Sequence, residues 1–479
     1  MTQRRGTRGM IRGARSLVFW GAFSGCVRGP LTPLPADQPH TDAAVHSDGH
    51  FSSDGLLHDA HSDAGPDLGP HTPTTDASAD RSPDARLDAA TGAGGHGGSG
   101  DAGVSVGGSG GGAPPDPCNG TCSVGTRCLR GSFTMGQVLP TGQTPGVVAA
   151  ADFNGDGVLD LVTGNRNANQ PDVFLGLGDG TFGASKAFDA GAGQVAMAVG
   201  DFDGDGRPDL VLANSNFLTS WRGAGDGTFQ EINFYEIGPF ASWLAAADLN
   251  RDGALDLAMT DFDHGDVTLF KGDGQGGFGP GASIPVDDEP TFVAAVDLNH
   301  DDNLDLVVVE PGSDDLTTLV GHGDGTFFSA GNTDLLEDPT CAALVDFNGD
   351  GNLDVAVNDM GAIGILFGDG HGRWGTESRV MAVSGVAWIT QVDVNADGKP
   401  DLVVGAVSSV IGNGNGYVVV LLGNGDGTFQ QVQSIHTGSL PQSIVAADLN
   451  GDGHPDLAVA DYSEDTVTIF LWNDGYRCQ

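Results

Sequence analysis

Basic residues are scarce in this sequence. Its 479 residues include 20 lysines and arginines against 64 aspartates and glutamates, which gives a formal net charge of −44. A chain this acidic will not bind nucleic acid or anionic lipid through bulk electrostatics. Long apolar runs are also missing, since no stretch reaches the roughly 18 residues that a membrane-spanning helix needs. We therefore expect a membrane association only through a lipid anchor.

Recognisable catalytic motifs are missing from the C-terminal three quarters of the chain. This region has no G-x-S-x-G elbow, no H-E-x-x-H pair and no phosphate-binding P-loop. Its histidines are scattered singly, and an isolated histidine is usually a surface or turn residue. They are His264, His300, His322, His371, His436 and His454. We therefore expect a protein that is not an enzyme.

What the sequence does contain is a repeated acidic loop of nine residues, D-x-[DN]-x-D-[GD]-x-x-D. Its seven copies begin at Asp152, Asp201, Asp248, Asp297, Asp346, Asp393 and Asp448. Self-similarity at a period of about 50 residues is the signature of a propeller or solenoid built from one supersecondary unit. Seven copies therefore predict seven such units.

Each loop places carboxylates or carboxamides at positions 1, 3, 5 and 9. Groups packed this closely repel one another unless a hard cation collects them, and a set of oxygen ligands favours calcium. We therefore predict up to seven calcium ions. The predicted ligands are Asp152, Asn154, Asp156, Asp160, Asp201, Asp203, Asp205, Asp209, Asp248, Asn250, Asp252, Asp256, Asp297, Asn299, Asp301, Asp305, Asp346, Asn348, Asp350, Asp354, Asp393, Asn395, Asp397, Asp401, Asp448, Asn450, Asp452 and Asp456.

Other positions of the loop agree with this interpretation. Position 6 is glycine in six copies, which lets the chain wrap around an ion, and Asp302 in the fourth copy predicts a weaker site. Position 7 varies freely, as expected where the backbone carbonyl supplies the ligand. An EF-hand is excluded because no copy has glutamate at position 12. The alternative, a set of solvated acidic turns, would not keep the same offsets in seven copies.

The residues around each loop have the composition of strands. An Ala- and Val-rich run such as Val147–Ala151 precedes the loop, and two apolar runs such as Leu159–Thr163 and Asp172–Leu177 follow it. A G-D-G-T-F turn or a relative of it comes next, as at Gly178–Phe182. Four antiparallel strands per period predict an all-β fold, a seven-bladed β-propeller with calcium loops.

These residues resemble the FG-GAP or VCBS-type repeat family, whose best-known member is the seven-bladed propeller of integrin α subunits. The likeness covers residues 131–479 and depends on the acidic loop combined with the glycine-aromatic turn at this spacing. The resemblance implies that the loops bind calcium on one face and that the opposite face carries ligand contacts. Some lectins and polysaccharide lyases use related calcium propellers, so a carbohydrate-binding lectin or a polysaccharide-active enzyme is the alternative function.

The two ends of the repeat region are expected to meet. Gly131–Val138 looks like the strand that follows the turn of the sixth repeat, whereas the last repeat stops without such a strand. The N-terminal piece is therefore predicted to complete the seventh blade. Cys118, Cys122, Cys128 and Cys478 flank this closure and are disulfide candidates in an exported protein. Closure favours a Cys128–Cys478 bridge with Cys118 joined to Cys122, and the other pairings remain open.

Three segments are predicted before the propeller of residues 131–479. Residues 1–26 combine an arginine-rich start, a short apolar stretch and Ser24-Gly25-Cys26, which predicts a secretory signal. This segment resembles a bacterial lipoprotein signal, in which Cys26 would be acylated; plain secretion and an uncleaved tail are the alternatives. Residues 27–116 are rich in Asp, His, Gly and Pro and are predicted to be a disordered tether. Residues 117–130 form a small Cys-rich segment.

Together these features predict a monomeric, calcium-stabilised binding or adhesion module. It would lie at the bacterial outer membrane or cell surface as a lipoprotein, or be secreted, and its partner would be a protein or a glycan. Exposed aromatic side chains at a concave rim suit sugar stacking or a protein hot spot, and Tyr235 and Trp243 are the ligand-face candidates. The alternative for Trp243 is packing between the second and third blades.

Overall fold

A computed structural model of the chain describes residues 128–478, apart from residues 192, 215, 239–240, 336–337, 360, 382, 384 and 408–414. The predicted signal with Cys26, the predicted tether, and Cys118 and Cys122 lie outside the described residues. All regular elements of the described part are β-strands. No helix within it is long and apolar enough to cross a membrane.

The strands form seven four-stranded antiparallel sheets, so the predicted all-β, seven-bladed propeller is confirmed. In chain order the strands are β1 (Cys128–Pro140), β2 (Pro145–Ala151), β3 (Asp160–Asn165), β4 (Asp172–Phe174), β5 (Lys186–Ala187), β6 (Ala196–Gly200), β7 (Asp209–Ala213), β8 (Phe217–Gly223), β9 (Phe229–Glu236), β10 (Ala241–Ala247), β11 (Asp256–Asp261), β12 (Asp266–Phe270), β13 (Ala282–Pro285), β14 (Phe292–Val296), β15 (Asp305–Glu310), β16 (Asp315–Gly321), β17 (Phe327–Asp334), β18 (Ala342–Val345), β19 (Asp354–Asp359), β20 (Ala362–Leu366), β21 (Ser378–Met381), β22 (Val386–Val392), β23 (Asp401–Val407), β24 (Asn415–Gly423), β25 (Phe429–Ser439), β26 (Pro441–Ala447), β27 (Asp456–Asp461) and β28 (Thr466–Cys478). Blade 1 is β2 to β5, each later blade takes the next four strands, and blade 7 is β26, β27, β28 and β1.

Side-chain size and polarity follow the position of each strand in its blade. The first strands carry small residues where the blades crowd around the axis, as in the alanines that end β2, β10 and β26. The second strands β3, β7, β11, β15 and β27 are buried at every position, because the sheets of neighbouring blades cover both of their faces. The outermost strands β13 and β17 are mostly exposed, and β9 is exposed at half of its positions. The core therefore lies between blades.

The ring closes through the N-terminal strand, as the sequence predicts. β1 pairs with β28 as the outermost strand of blade 7. Phe133 of β1 packs edge-on against Trp472 of β28, with ring centroids 4.9 Å apart. Gln433 of blade 6 binds the backbone of β1. Its Oε1 accepts the Phe133 N–H at 3.0 Å, and its Nε2 donates to the Phe133 carbonyl at 2.8 Å. Residues about 340 positions apart in sequence thus form one sheet.

The backbone register brings two of the cysteine candidates together. Cys128 at the start of β1 lies directly opposite Cys478 at the end of β28. Directly opposite residues of an antiparallel pair have Cα atoms about 4.5–5.5 Å apart, which is within the range that a disulfide spans. The predicted Cys128–Cys478 bridge is compatible with this register and stays a prediction.

Closure predicts that residues 131–140 stabilise the blade at the other end of the chain. Deleting them removes the outer strand of blade 7 and exposes the Trp472 indole. Hydrogen exchange measured by mass spectrometry should therefore show lost protection in residues 441–473. Lost protection confined to blade 1, in residues 152–187, would contradict the shared blade.

Candidate metal centres

Every acidic loop joins the first and second strands of its blade. Position 9 of the loop is the first residue of the second strand, so all seven loops leave the ring on the same face. The position 9 residues are Asp160, Asp209, Asp256, Asp305, Asp354, Asp401 and Asp456. We call this face the loop face and the other one the opposite face.

The position 9 aspartates are buried and make the same two backbone hydrogen bonds in every blade. One carboxylate oxygen accepts the N–H of loop position 2 at 2.9–3.1 Å, as Asp160 does from Phe153. The other oxygen accepts an N–H of the third strand, or of a residue just beyond it, at 2.7–3.0 Å, as Asp160 does from Gly176. One carboxylate thus ties the loop to the third strand.

Burial raises the pKa of these carboxyl groups. Loss of water is the largest cause, and it is partly offset by the two N–H donors. The pKa of Asp160, Asp209, Asp354 and Asp456 rises to about 6, and that of Asp401 to about 7. The nearby carboxylates of loop positions 1 and 5 raise the Asp160 pKa further. A cation beside these groups would oppose both effects.

The remaining loop carboxylates are held in place by the loop's own backbone. Asp152 accepts the N–H groups of Gly155, Asp156 and Gly157 at 2.7–3.2 Å. Asn154 Oδ1 accepts from Asp156 at 2.9 Å, and Asp156 accepts from Val158 at 2.8 Å. In blade 2, carboxylate oxygens of Asp201, Asp203 and Asp209 lie within 4.8 Å of one another. This all-oxygen donor set fits a hard divalent cation.

Two positions of each loop, and not one, adopt the left-handed backbone conformation. Position 6 has φ between +65° and +92° in all seven copies, as expected. Position 4 is also left-handed throughout, but only Gly155, Gly204, Gly349 and Gly451 suit it. Arg251, His300 and Ala396 occupy this position in the other blades. Because position 4 is not always glycine, the sequence pattern did not reveal its left-handed conformation. The fourth loop has two strained positions, His300 and Asp302.

The loops of blades 1, 2 and 5 also contact the next blade. Phe153 of the blade 1 loop packs edge-on against Phe229, the aromatic residue of the blade 2 turn, at 5.4 Å. The Phe153 carbonyl accepts the Gly227 N–H of the same turn at 3.0 Å. The same pair of contacts joins Phe202 to the Gly276–Phe278 turn and Phe347 to the Gly427–Phe429 turn. These three glycine-aromatic turns therefore pack against the acidic loop of the preceding blade.

Trp243, a sequence candidate for the ligand face, is a packing residue. It is 3% exposed and lies against Phe292 of blade 4, with ring centroids 4.6 Å apart. It also faces Trp388 of blade 6 at 6.3 Å. Blades 3 and 6 are not neighbours, so these two indoles meet across the axis and fill it. The second candidate, Tyr235, is half-buried, and its hydroxyl accepts the Phe278 N–H at 2.7 Å. Both aromatic side chains thus serve contacts between blades.

Buried acids lie at the opposite face, where the second strands end. Glu310 accepts the Thr317 hydroxyl at 2.6 Å and the Asp287 N–H at 2.9 Å. Asp461 accepts the hydroxyls of Thr437 at 2.5 Å and Thr468 at 2.6 Å. Burial raises the Glu310 pKa to about 7 and the Asp461 pKa to about 6, because these hydrogen bonds replace only part of the lost hydration.

A family model described as an FG-GAP-like repeat matches the sequence in six overlapping stretches, residues 152–212, 201–259, 248–308, 297–357, 346–404 and 393–459. Each stretch runs from one acidic loop into the second strand of the next blade. No curated protein matches the sequence.

Solved structures share the fold at low sequence identity. The chain is similar to BBS1N, solved in complex with ARL6DN, at 12% identity and a TM-score of 0.53, covering 72% of this chain and 98% of that one. It is also similar to an Agrocybe aegerita lectin that recognises non-reducing terminal N-acetylglucosamine, at 18% identity and a TM-score of 0.48, covering 69% and 86% of the two chains. The similarity to BBS1N, at this low identity, shows a shared fold alone.

Backbone strain in the loops predicts opposite effects for two substitutions in blade 6. Ala396→Gly relieves a left-handed alanine and should raise the free energy of unfolding by up to about 1 kcal/mol. Gly398→Ala should lower it by about 1–2 kcal/mol, although no atom lies within 4 Å of the added Cβ. Urea denaturation at saturating calcium measures both. Effects of the same sign would contradict the strain argument.

The raised Glu310 pKa predicts a pH-dependent contribution to stability. Folding raises this pKa from 4.5 to about 7, so the contribution is complete below pH 4.5 and is lost as pH rises through 7. Glu310→Gln should therefore gain stability relative to wild type over this range, by at most about 3 kcal/mol. Urea denaturation from pH 4.5 to 8 at saturating calcium measures the difference, with exposed Glu231→Gln as control. A difference independent of pH would contradict the assignment.

Proposed function

The chain belongs to the FG-GAP-like repeat family, and from this premise we propose that it is an exported, calcium-binding β-propeller that acts as a binding or adhesion module at the cell surface. The observation that carries the proposal is the recurrence of one all-oxygen donor set on one face of a closed ring. Each set places carboxylates side by side with no basic partner common to all seven loops. Calcium is the cation that such sets favour.

The residues that would hold calcium are those at loop positions 1, 3, 5 and 9, together with the carbonyl of position 7. Calcium would supply positive charge that cancels the repulsion among these oxygens. Position 1 is preorganised by two or three backbone N–H groups and position 9 by two, so the loops bind without large rearrangement. We expect the fourth loop to bind most weakly, because His300 and Asp302 both hold left-handed backbone there.

Binding is favoured over catalysis as the role of this propeller. A closed ring of seven packed sheets is a rigid scaffold, and loops on a rigid scaffold are where recognition usually resides. The loop face would bind cations, and the turns of the opposite face would bind a protein or glycan partner. The acidic composition makes nucleic acid an unsuitable partner.

Surface display is part of the proposal and rests on the N-terminal sequence. A signal that resembles those of bacterial lipoproteins would place an acyl chain on Cys26, and the following polar segment of residues 27–116 would act as the tether. Extracellular fluids hold millimolar calcium, which would keep even the weaker loops occupied. The propeller would then be folded and stable only after export.

Calcium should raise the melting temperature, because an ion that binds only the native state stabilises it by mass action. Each site contributes about 2.7 kcal/mol at a calcium concentration 100 times its dissociation constant. Thermal melts in EGTA, in millimolar calcium and in millimolar magnesium measure the effect. Magnesium should stabilise less, since it demands a smaller and more rigid octahedral site.

Coincident melting curves in EGTA and calcium would refute calcium binding. A matched control is Asp448→Asn, which weakens the loop of blade 7 alone. This variant should keep most of the calcium-dependent rise in melting temperature. Loss of the entire rise would mean that one site, and not seven, accounts for the effect.

A further inference from the structure

At the ligand positions 1, 3, 5 and 9, the loop of blade 2 carries one carboxylate more than its counterparts. Position 3 is Asp203 here, whereas the other six loops have asparagine at this position. Four carboxylates, Asp201, Asp203, Asp205 and Asp209, therefore surround one candidate ion site. An uncompensated extra charge would increase their mutual repulsion and make this loop unlike the others.

A single guanidinium lies on the extra carboxylate. Arg222 is near the end of β8, and its Nε donates a hydrogen bond to Asp203 Oδ2. The next residue, Gly223, donates its N–H to Asp209 Oδ1 at 2.8 Å. Two successive residues of β8 thus hold two carboxylates of the loop.

The Asp203 side chain is buried between the blade 2 loop and Gly276 of blade 3. Its exposed fraction is 4%, and a Cβ built on Gly276 would lie 3.7 Å from the Asp203 Cβ. The Gly276 N–H also binds the carbonyl of the adjacent Phe202 at 3.0 Å. Arg222 bonds Oδ2, and Oδ1 accepts the Asp205 N–H at 3.0 Å; Oδ1 keeps a second lone pair that could bind an ion.

The two charged residues occur together. In five other blades the position of Arg222 is uncharged, and the residues are Leu175, Val320, Phe367, Leu422 and Leu471. In blade 3 the position is Lys271, which contacts the exposed Asp252 of loop position 5 at 3.1 Å. Among the described residues, a basic side chain bonds loop position 3 in one blade, blade 2, where position 3 is an aspartate.

We propose that Arg222 sets the calcium affinity of the blade 2 loop by cancelling the charge of Asp203, an inference that rests on the calcium binding proposed above. The Asp203–Arg222 pair is then the counterpart of the asparagine in the other loops. Four carboxylates and one guanidinium carry the same net charge as the three carboxylates and one carboxamide found elsewhere. The pair therefore keeps the calcium affinity of the blade 2 loop close to that of the other loops.

The test compares Arg222→Leu, Asp203→Asn and the double variant in the full chain. The double variant reproduces the asparagine and leucine found in blades 1, 6 and 7. Calcium is titrated into the EGTA-treated protein at low ionic strength while hydrogen exchange is measured by mass spectrometry. The calcium concentration at half-protection of residues 200–212 reports the blade 2 loop, and that of residues 447–459 reports the blade 7 loop as internal control.

The two single substitutions should act in opposite directions. Arg222→Leu should lower the blade 2 midpoint by about tenfold, because a unit charge and a divalent ion about 6 Å apart in water interact with that strength. Asp203→Asn should raise it by about the same factor, since the guanidinium then faces the ion without a carboxylate. The double variant should lie within about twofold of wild type, which is the signature of two coupled groups.

A shift of both single variants toward weaker binding would overturn the proposal, because Arg222 would then only position Asp203. A double variant no closer to wild type than the single ones would overturn it as well. Lys186→Leu is the matched control, since Lys186 donates to the Asp226 carbonyl at 2.9 Å, outside the blade 2 loop, and should shift the midpoint by less than about threefold. A wild-type protein in which no loop peptide responds to calcium would refute the proposed function itself, and this inference with it.

Discussion

Each blade is organised around one buried carboxylate, the aspartate at loop position 9. Its two oxygens accept backbone N–H groups from the loop and from the end of the third strand, so three strands of the blade depend on it. Burial raises its pKa, which means that its charge is costly where the fold places it. A cation bound by the same loop would offset that cost, so the candidate metal site and the fold depend on the same carboxylate.

The same loop connects neighbouring blades. Its second residue packs on the aromatic side chain of the next glycine-aromatic turn and accepts a backbone hydrogen bond from it, as in the Phe347–Phe429 contact at 5.4 Å. In blades 1, 2 and 5 the acidic loop and the turn are consequently not independent motifs, because the loop packs against the turn of the next blade. An ion that stiffens one loop would therefore also stabilise the adjoining blade.

The seven loops share a plan and differ in their local energetics. The fourth loop holds two residues in the left-handed conformation, at His300 and Asp302, whereas the loops of blades 1, 2, 5 and 7 use glycine at both positions. The second loop has an extra carboxylate matched by Arg222. A family of repeated sites thus spans a range of strain and charge, and calcium at intermediate concentrations would occupy the loops unequally.

The period, the ligand positions and the strand composition determined the propeller, its seven blades and the candidate metal residues from sequence alone, because these features are local and repeat seven times. The shared blade was also predictable, since one strand is present at the start of the region and missing at its end. Only the tertiary structure decided that Trp243 meets Trp388 across the axis, that Gly176 and its equivalents are the second partners of the position 9 aspartates, and that Arg222 lies on Asp203. These contacts join residues about 15 to 145 positions apart. At least one residue of each contact lies outside any recognisable motif, so only the packing of the folded chain reveals which of them meet.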